Sequence, residues 1–283
     1  TSIIGLFIVI VKYTFRWYNE ARMLAINKAN LKGVLMNNRI IIEPAFKIRE
    51  IARNALAGKW SIVYGGMFIY FIMSSGIMQL LDFFFSTIRT VLLPSGQYIN
   101  VSIGYASWLY QLAVSGALMY GLAMFTLAFL RKKETDCGYI FEGFGIFGKT
   151  FILYLLYTVK IFLWSMLFVI PGIVATFRYS QAFYLQVDHP DWKASQCINE
   201  SKILMVGNKG KLFYLNLTFI GWYFLANLPA IIIGEISPGG IVDILLWIVG
   251  SLPVLIVDVY SFMSQTVFYE LVTDKLVVLD SRD

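Results

Sequence analysis

The chain has 283 residues, of which 58% are hydrophobic, 17% are aromatic and only 14% are charged, and its formal net charge is +6. Its mean hydropathy is +0.70. Soluble domains carry about 25% charged residues, so this composition argues against an ordinary soluble domain and predicts an integral membrane protein. The positive charge requires no nucleic-acid partner, because attraction of basic residues to anionic lipid explains it.

Seven apolar runs predict membrane-spanning helices, since about 18 or more apolar residues with few charges can cross a bilayer. In chain order they are residues 3–15, 60–81, 106–130, 150–170, 172–187, 212–233 and 241–268. The first run and residues 172–187 are short, and the latter contains Arg178. Runs of that length are equally typical of re-entrant or interfacial segments.

The basic residues predict the orientation of these helices, because Lys and Arg beside spans stay in the cytoplasm. They concentrate in residues 12–59, 131–149 and 188–211, whereas the loops 82–105 and 235–240 contribute only Arg89. The pattern predicts an N-terminal helix that enters the cytoplasm, three hairpins and a cytoplasmic C-terminus. Cys137 and Cys197 fall in predicted cytoplasmic loops and are expected to be reduced thiols.

A short amphipathic stretch precedes each outgoing helix and ends in a Gly-Lys pair. The pairs are Gly58-Lys59, Gly148-Lys149 and Gly210-Lys211. Each glycine is predicted to be a left-handed helix cap, and each lysine to reach the lipid headgroups. The apolar residues of the first stretch share one helical face, which is typical of helices lying in the membrane interface. Chance similarity of the three junctions is the alternative.

Several segments resemble a known family. They include EPAFKIREIARNALAGKW, the turn IPGI at residues 170–173 and the cluster FIGWY at residues 219–223. The chain from about Glu43 to Leu271 is similar to the integral membrane family called domain of unknown function 975, and through it to the membrane domain of some glycerophosphodiester phosphodiesterases. The resemblance implies a six-helix core in a bacterial plasma membrane and supplies no catalytic residue. Residues 1–42 lie outside it.

Four charges fall inside predicted spans, where each costs roughly 2.5–3.5 kcal/mol at a helix centre. They are Lys160, Arg178, Asp243 and Asp258. Similar depth predicts a pair between Lys160 and Asp258, whereas Arg178 is expected nearer the outer face, within reach of Asp243 and Glu235. Structural ion pairs are the favoured interpretation, and a substrate or proton path at mid-membrane is the alternative.

Helix-breaking residues interrupt several spans, namely Pro171, Gly172, Pro229 and Pro253. Proline in a helix interior removes a hydrogen bond, so these prolines are expected to kink or end their helices. Broken helices can mark transporter sites, but they are also ordinary in helical bundles.

No nucleotide-binding, zinc-protease or hydrolase motif is present, and His189 is the single histidine. We therefore expect no catalytic residue, metal or cofactor. The predicted fold class is all-α, a polytopic helical membrane protein. Its predicted parts are an N-terminal transmembrane helix with a basic cytoplasmic helix (1–42), a six-helix membrane domain with interfacial helices (43–271) and a cytoplasmic tail (272–283).

The predicted function is that of a non-enzymatic scaffold or accessory subunit of a larger membrane assembly. The alternative is a transporter or a lipid- or peptide-handling membrane protein. The expected partners are the lipid bilayer and other membrane subunits, without nucleic acid.

Overall fold

A computed structural model describes residues 40–92, 98–132, 136–235 and 241–276. The predicted N-terminal helix and basic cytoplasmic helix (1–42) lie outside these residues, except for residues 40–42. Twelve α-helices are found in the described ranges, and their bounds are as follows: α1 Ala45–Leu56, α2 Trp60–Phe71, α3 Ile77–Phe85, α4 Tyr105–Lys132, α5 Glu142–Gly145, α6 Phe147–Leu167, α7 Val169–Tyr179, α8 Ala182–Asp188, α9 Ala194–Leu204, α10 Lys209–Leu217, α11 Ile220–Glu235 and α12 Ile241–Val272.

Four helical segments are long and apolar enough to cross a membrane, which confirms a helical fold of membrane-protein character. They are Trp60–Phe85, Tyr105–Arg131, Phe147–Leu167 and Val242–Val272. A fifth span arises if Lys209–Leu217 and Ile220–Ile233 are one helix bent by 40°. The predicted run at 172–187 is divided between α7 and α8, so no single helix of spanning length forms there.

A two-stranded hairpin that the sequence analysis did not predict joins α3 to α4. Its strands, β1 (Thr87–Leu92) and β2 (Tyr98–Ile103), are antiparallel, with Thr87 opposite Ile103 and Leu92 opposite Tyr98. Both strands are rich in β-branched residues, which favour extended backbone. Apart from this hairpin, the described elements are helical, in agreement with the predicted all-α fold class.

The span that begins at Trp60 contains a π-helical turn at Ile72–Gly76. A π-helical turn changes the backbone hydrogen-bond pattern of the helix. Side-chain hydroxyl groups can donate hydrogen bonds to the carbonyl groups that lose their backbone partners. The Ser74 hydroxyl donates to the Phe71 carbonyl at 3.3 Å, and the Tyr110 hydroxyl of α4 donates to the Met73 carbonyl. The irregular turn is thus held against α4.

The amphipathic helix α1 lies on the bundle itself. Its apolar face is fully buried at Ile48, Ala52 and Leu56, and the helix packs against α12. The expectation of a surface helix with its apolar face in lipid therefore needs correction. The spacing correctly identified the buried face, but the bundle covers it.

Only the first of the three Gly-Lys junctions has the predicted helix cap. Gly58 has φ +73°, the left-handed conformation that glycine adopts without steric cost. Gly148 and Gly210 lie inside α6 and α10, so their predicted capping roles are wrong. In the third junction the left-handed residue is Gly207, at φ +82°.

The helix-breaking residues have different outcomes. Pro171 lies in the first turn of α7, where a missing N–H is tolerated. Gly172 lets α7 pack on α6, because a Cβ there would lie 2.2 Å from the Ser165 Oγ. Pro229 and Pro253 sit inside α11 and α12 without ending them. The 40° bend falls between α10 and α11 instead.

Candidate functional site

A network of charged side chains joins the ends of three helices. Arg131 ends the apolar part of α4, Asp188 ends α8, and Glu270 lies in the last turn of α12. The Arg131 guanidinium donates to both Asp188 carboxylate oxygens at 2.6 and 3.0 Å. It also donates from Nε and Nη2 to the Glu270 Oε1 at 3.0 and 2.5 Å. One cation therefore binds two carboxylates from separate helices.

Two further donors complete this network, which we call the Arg131 cluster (Arg131, Asp188, Tyr269, Glu270 and Lys275). The Tyr269 hydroxyl donates to the Asp188 Oδ2 at 2.6 Å, and the Lys275 ammonium forms an ion pair with the same oxygen. The chain turns back after α12 because Asp274 adopts φ 58°, and the Lys275 amide donates to the Glu270 carbonyl at 2.9 Å. The residues after α12 thus close over the cluster.

The electrostatics of the cluster favour an ionised Asp188 carboxylate. The Asp188 and Glu270 side chains are only 5% and 6% exposed. Burial raises the pKa of Asp188, but hydrogen bonds from Arg131, Lys275 and Tyr269 outweigh it and hold that pKa at about 2. A buried carboxylate with this many donors stays charged at neutral pH. The geometry therefore describes a network of ion pairs and hydrogen bonds that joins three helix ends.

Sequence analysis did not identify this cluster. The basic segments 131–149 and 188–211 begin at Arg131 and Asp188, but their charge pattern indicates no contact between these residues or with Glu270. Arg131 is separated by 57 residues from Asp188 and by 139 from Glu270. The available signal was a charged residue at the end of each of three long apolar segments.

The pairing predicted for the mid-span charges differs from the one observed. The Asp258 carboxylate accepts a hydrogen bond from the Tyr223 hydroxyl at 2.8 Å. Among the ion pairs of the described residues, none joins Lys160 to Asp258. A neutral hydroxyl on the adjacent α11 takes the place that the sequence analysis gave to Lys160. Asp243 lies in the first turn of α12.

Arg178 lies where α7 meets α9. It ends α7, and its backbone carbonyl accepts a hydrogen bond from the Ser201 hydroxyl of α9 at 3.0 Å. Its guanidinium lies over the Trp164 ring, 5.5 Å from the centroid. Arg178 therefore packs beside the basic segment 188–211. The short α7 returns the chain to that segment within 11 residues.

Within the described ranges, no group of three or more His, Cys, Asp or Glu side chains could hold a metal ion. Cys137 and Cys197 are both free thiols, and Cys197 is buried. Burial raises the pKa of the Cys197 thiol to about 11, so it is un-ionised at neutral pH.

The fold and the Arg131 cluster define a helical membrane protein whose helix ends are held together by buried ion pairs. The chain belongs to the family described as Protein of unknown function (DUF975), whose model matches residues 42–176 and 166–275. No curated protein and no solved structure matches the chain.

Proposed function

We propose that this protein is a non-enzymatic scaffold or accessory subunit of a larger assembly in a bacterial plasma membrane. The observation that carries the proposal is the segment before residue 42, which lies outside the family match. That segment combines an apolar run with six basic residues, Lys12, Arg16, Arg22, Lys28, Lys32 and Arg39. We call residues 1–41 the docking arm. It adds a partner-binding segment to the membrane domain that the family model matches.

The contacts at the start of the core support this role. The Ile41 amide donates to the Asn208 Oδ1 at 2.9 Å, and the Lys211 ammonium donates to the Ile42 carbonyl at 3.4 Å. Ile41 itself is buried in the main core. The arm is therefore attached to a fixed point on the helix bundle, which raises its effective concentration beside anything bound to the bundle.

Co-purification from native membranes in mild detergent tests the proposal. The full chain is expected to carry partners in fixed stoichiometry, and deletion of residues 1–38 is expected to release them while the core keeps its melting temperature. A Lys28→Gln/Lys32→Gln variant retains the segment and reports whether its charge matters. A truncated core that keeps every partner, or a full chain that purifies as a lone monomer, would contradict the proposal.

The proposed topology has six core helices, the N-terminal helix and a cytoplasmic C-terminus. The distribution of Lys and Arg supports it. Labelling of intact cells tests it: cysteines introduced at Ser95 and Pro238 should react from outside, whereas Cys137 should react only after permeabilisation. Reaction of Cys137 from outside would reverse the arrangement.

Transport, or lipid or peptide handling, is the second candidate, and the Asp258–Tyr223 pair favours it. Asp258 lies within a candidate span, and ionisable residues at membrane depth often belong to ion or substrate paths. Proton flux in reconstituted vesicles that is abolished by Asp258→Asn would support transport. Asp274→Asn, which lies outside the span, is the control. If this variant also abolishes proton flux, the flux does not depend specifically on the Asp258–Tyr223 pair.

A further inference from the structure

Three basic side chains come together where α7, α9 and α10 meet, and we call them the basic cluster (Arg178, Lys202 and Lys209). Arg178 lies in the last turn of α7, Lys202 in the last turn of α9, and Lys209 begins α10. Helix α7 packs against both α9 and α10. The Arg178 and Lys202 side chains both lie close enough to Lys209 for their positive charges to repel its ammonium group.

The basic cluster lacks the counter-ions that satisfy Arg131. No ion pair within the described residues joins Arg178, Lys202 or Lys209 to a carboxylate. The Arg178 Nε is buried and has no hydrogen-bond partner. An unpaired buried donor and three uncompensated charges both cost free energy. A bound anion would remove both costs.

The surroundings of the basic cluster are aromatic and apolar. Arg178 lies over the Trp164 ring. On the adjoining helix, Phe213 packs edge-on against Phe177, with ring centroids 5.7 Å apart, and is still 47% exposed. Leu217, one turn further along α10, is also exposed. Cations bordered by exposed apolar side chains match a ligand with an anionic head and a hydrocarbon tail.

We propose that Arg178, Lys202 and Lys209 bind the phosphate group of an anionic phospholipid. The guanidinium supplies a planar pair of donors to the phosphate oxygens, and the two ammonium groups add positive charge. The acyl chains then lie along the exposed side chains of α10. Assignment to the cytoplasmic leaflet rests on the topology proposed above, whereas the phosphate chemistry does not.

Lipid titration of the purified full chain tests the site. Phosphatidylglycerol is added in neutral detergent, and bound lipid is counted by native mass spectrometry, with phosphatidylcholine and inorganic phosphate in parallel. Each lysine near an anionic headgroup contributes about fivefold to binding, so Lys202→Gln/Lys209→Gln should weaken phosphatidylglycerol binding about 25-fold. The control Lys149→Gln/Lys193→Gln removes the same charge at exposed positions and should change binding less than twofold.

Three other results would contradict the proposed phospholipid site. Equal binding by the wild type and the Lys202→Gln/Lys209→Gln variant, or equal loss in the control variant, would overturn the site. Inorganic phosphate that binds as tightly as phosphatidylglycerol would show that the cluster takes free phosphate and not lipid. Lys202 is exposed, so Lys202→Gln alone should fold, and its expected fivefold loss keeps the test available if the double variant does not fold.

Discussion

Substitution of Asp188 by Asn should measurably destabilise the protein, because it removes a buried charge that Arg131, Lys275 and Tyr269 all bind. The folded chain lowers the pKa of Asp188 from its ordinary 3.8 to about 2. The lowered pKa means that the ionised carboxylate stabilises the folded chain by roughly 2–3 kcal/mol. For a chain of this size that corresponds to a melting temperature lower by roughly 5–10 °C. Thermal unfolding of the full chain in mild detergent measures it.

The sign of the pH dependence follows from the lowered pKa. A carboxylate with a depressed pKa in the folded state stabilises the protein above its unfolded pKa, and the contribution is lost as pH falls through the folded pKa. The difference in melting temperature between wild type and Asp188→Asn should therefore be constant above pH 5. It should shrink as the pH falls from about 4 towards 2.

Glu50→Gln is the matched control, because it breaks the exposed Lys47–Glu50 ion pair, whose atoms lie 3.2 Å apart. Such surface pairs contribute about 0–1 kcal/mol, so this variant should melt within about 3 °C of the wild type. If Asp188→Asn is no less stable than Glu50→Gln, the Arg131 cluster does not hold the helix ends together.

Two further predictions concern packing and thiol reactivity. Gly121→Ala should destabilise the chain by roughly 1–3 kcal/mol, because the new Cβ would lie 1.9 Å from the Ile140 carbonyl oxygen. Gly65→Ala, whose Cβ meets nothing within 4 Å, should be neutral or slightly stabilising, and equal melting temperatures for the two variants would refute this close contact. At pH 8, maleimide should modify Cys137 in the folded chain and Cys197 only after unfolding, since burial excludes the reagent and raises the pKa of the Cys197 thiol to about 11. Labelling of Cys197 in the folded chain would contradict that burial.

The long apolar segments could be predicted from the sequence because membrane-spanning character is a local property of about 20 consecutive residues. The same holds for the buried face of α1, where the spacing of Ile48, Ala52 and Leu56 is a helical period. Even so, only the structure shows that α12 covers that face. Amphipathicity tells which face needs burial and does not identify the surface that buries it.

The ionic contacts could not be predicted, because they depend on which helix ends meet. Composition marked Lys160 and Asp258 as costly charges of opposite sign, and equal depth suggested a pair. The depth of a residue in the membrane does not determine towards which neighbouring helix its side chain points. The Asp258 carboxylate accepts a hydrogen bond from Tyr223 instead. Arg131, Asp188 and Glu270 are brought together by the packing of α4, α8 and α12.

The sequence by itself thus determined the class of protein, the main spans and the family, because each follows from local composition or from motifs that are contiguous in the chain. The tertiary structure alone decided which charges are paired. It placed Arg131 between two buried carboxylates, and it placed Arg178 beside two lysines with no carboxylate paired to any of the three in the described part of the chain. The physical reason is that Coulomb energies depend on distance through space and on burial, and neither is a property of separation along the chain.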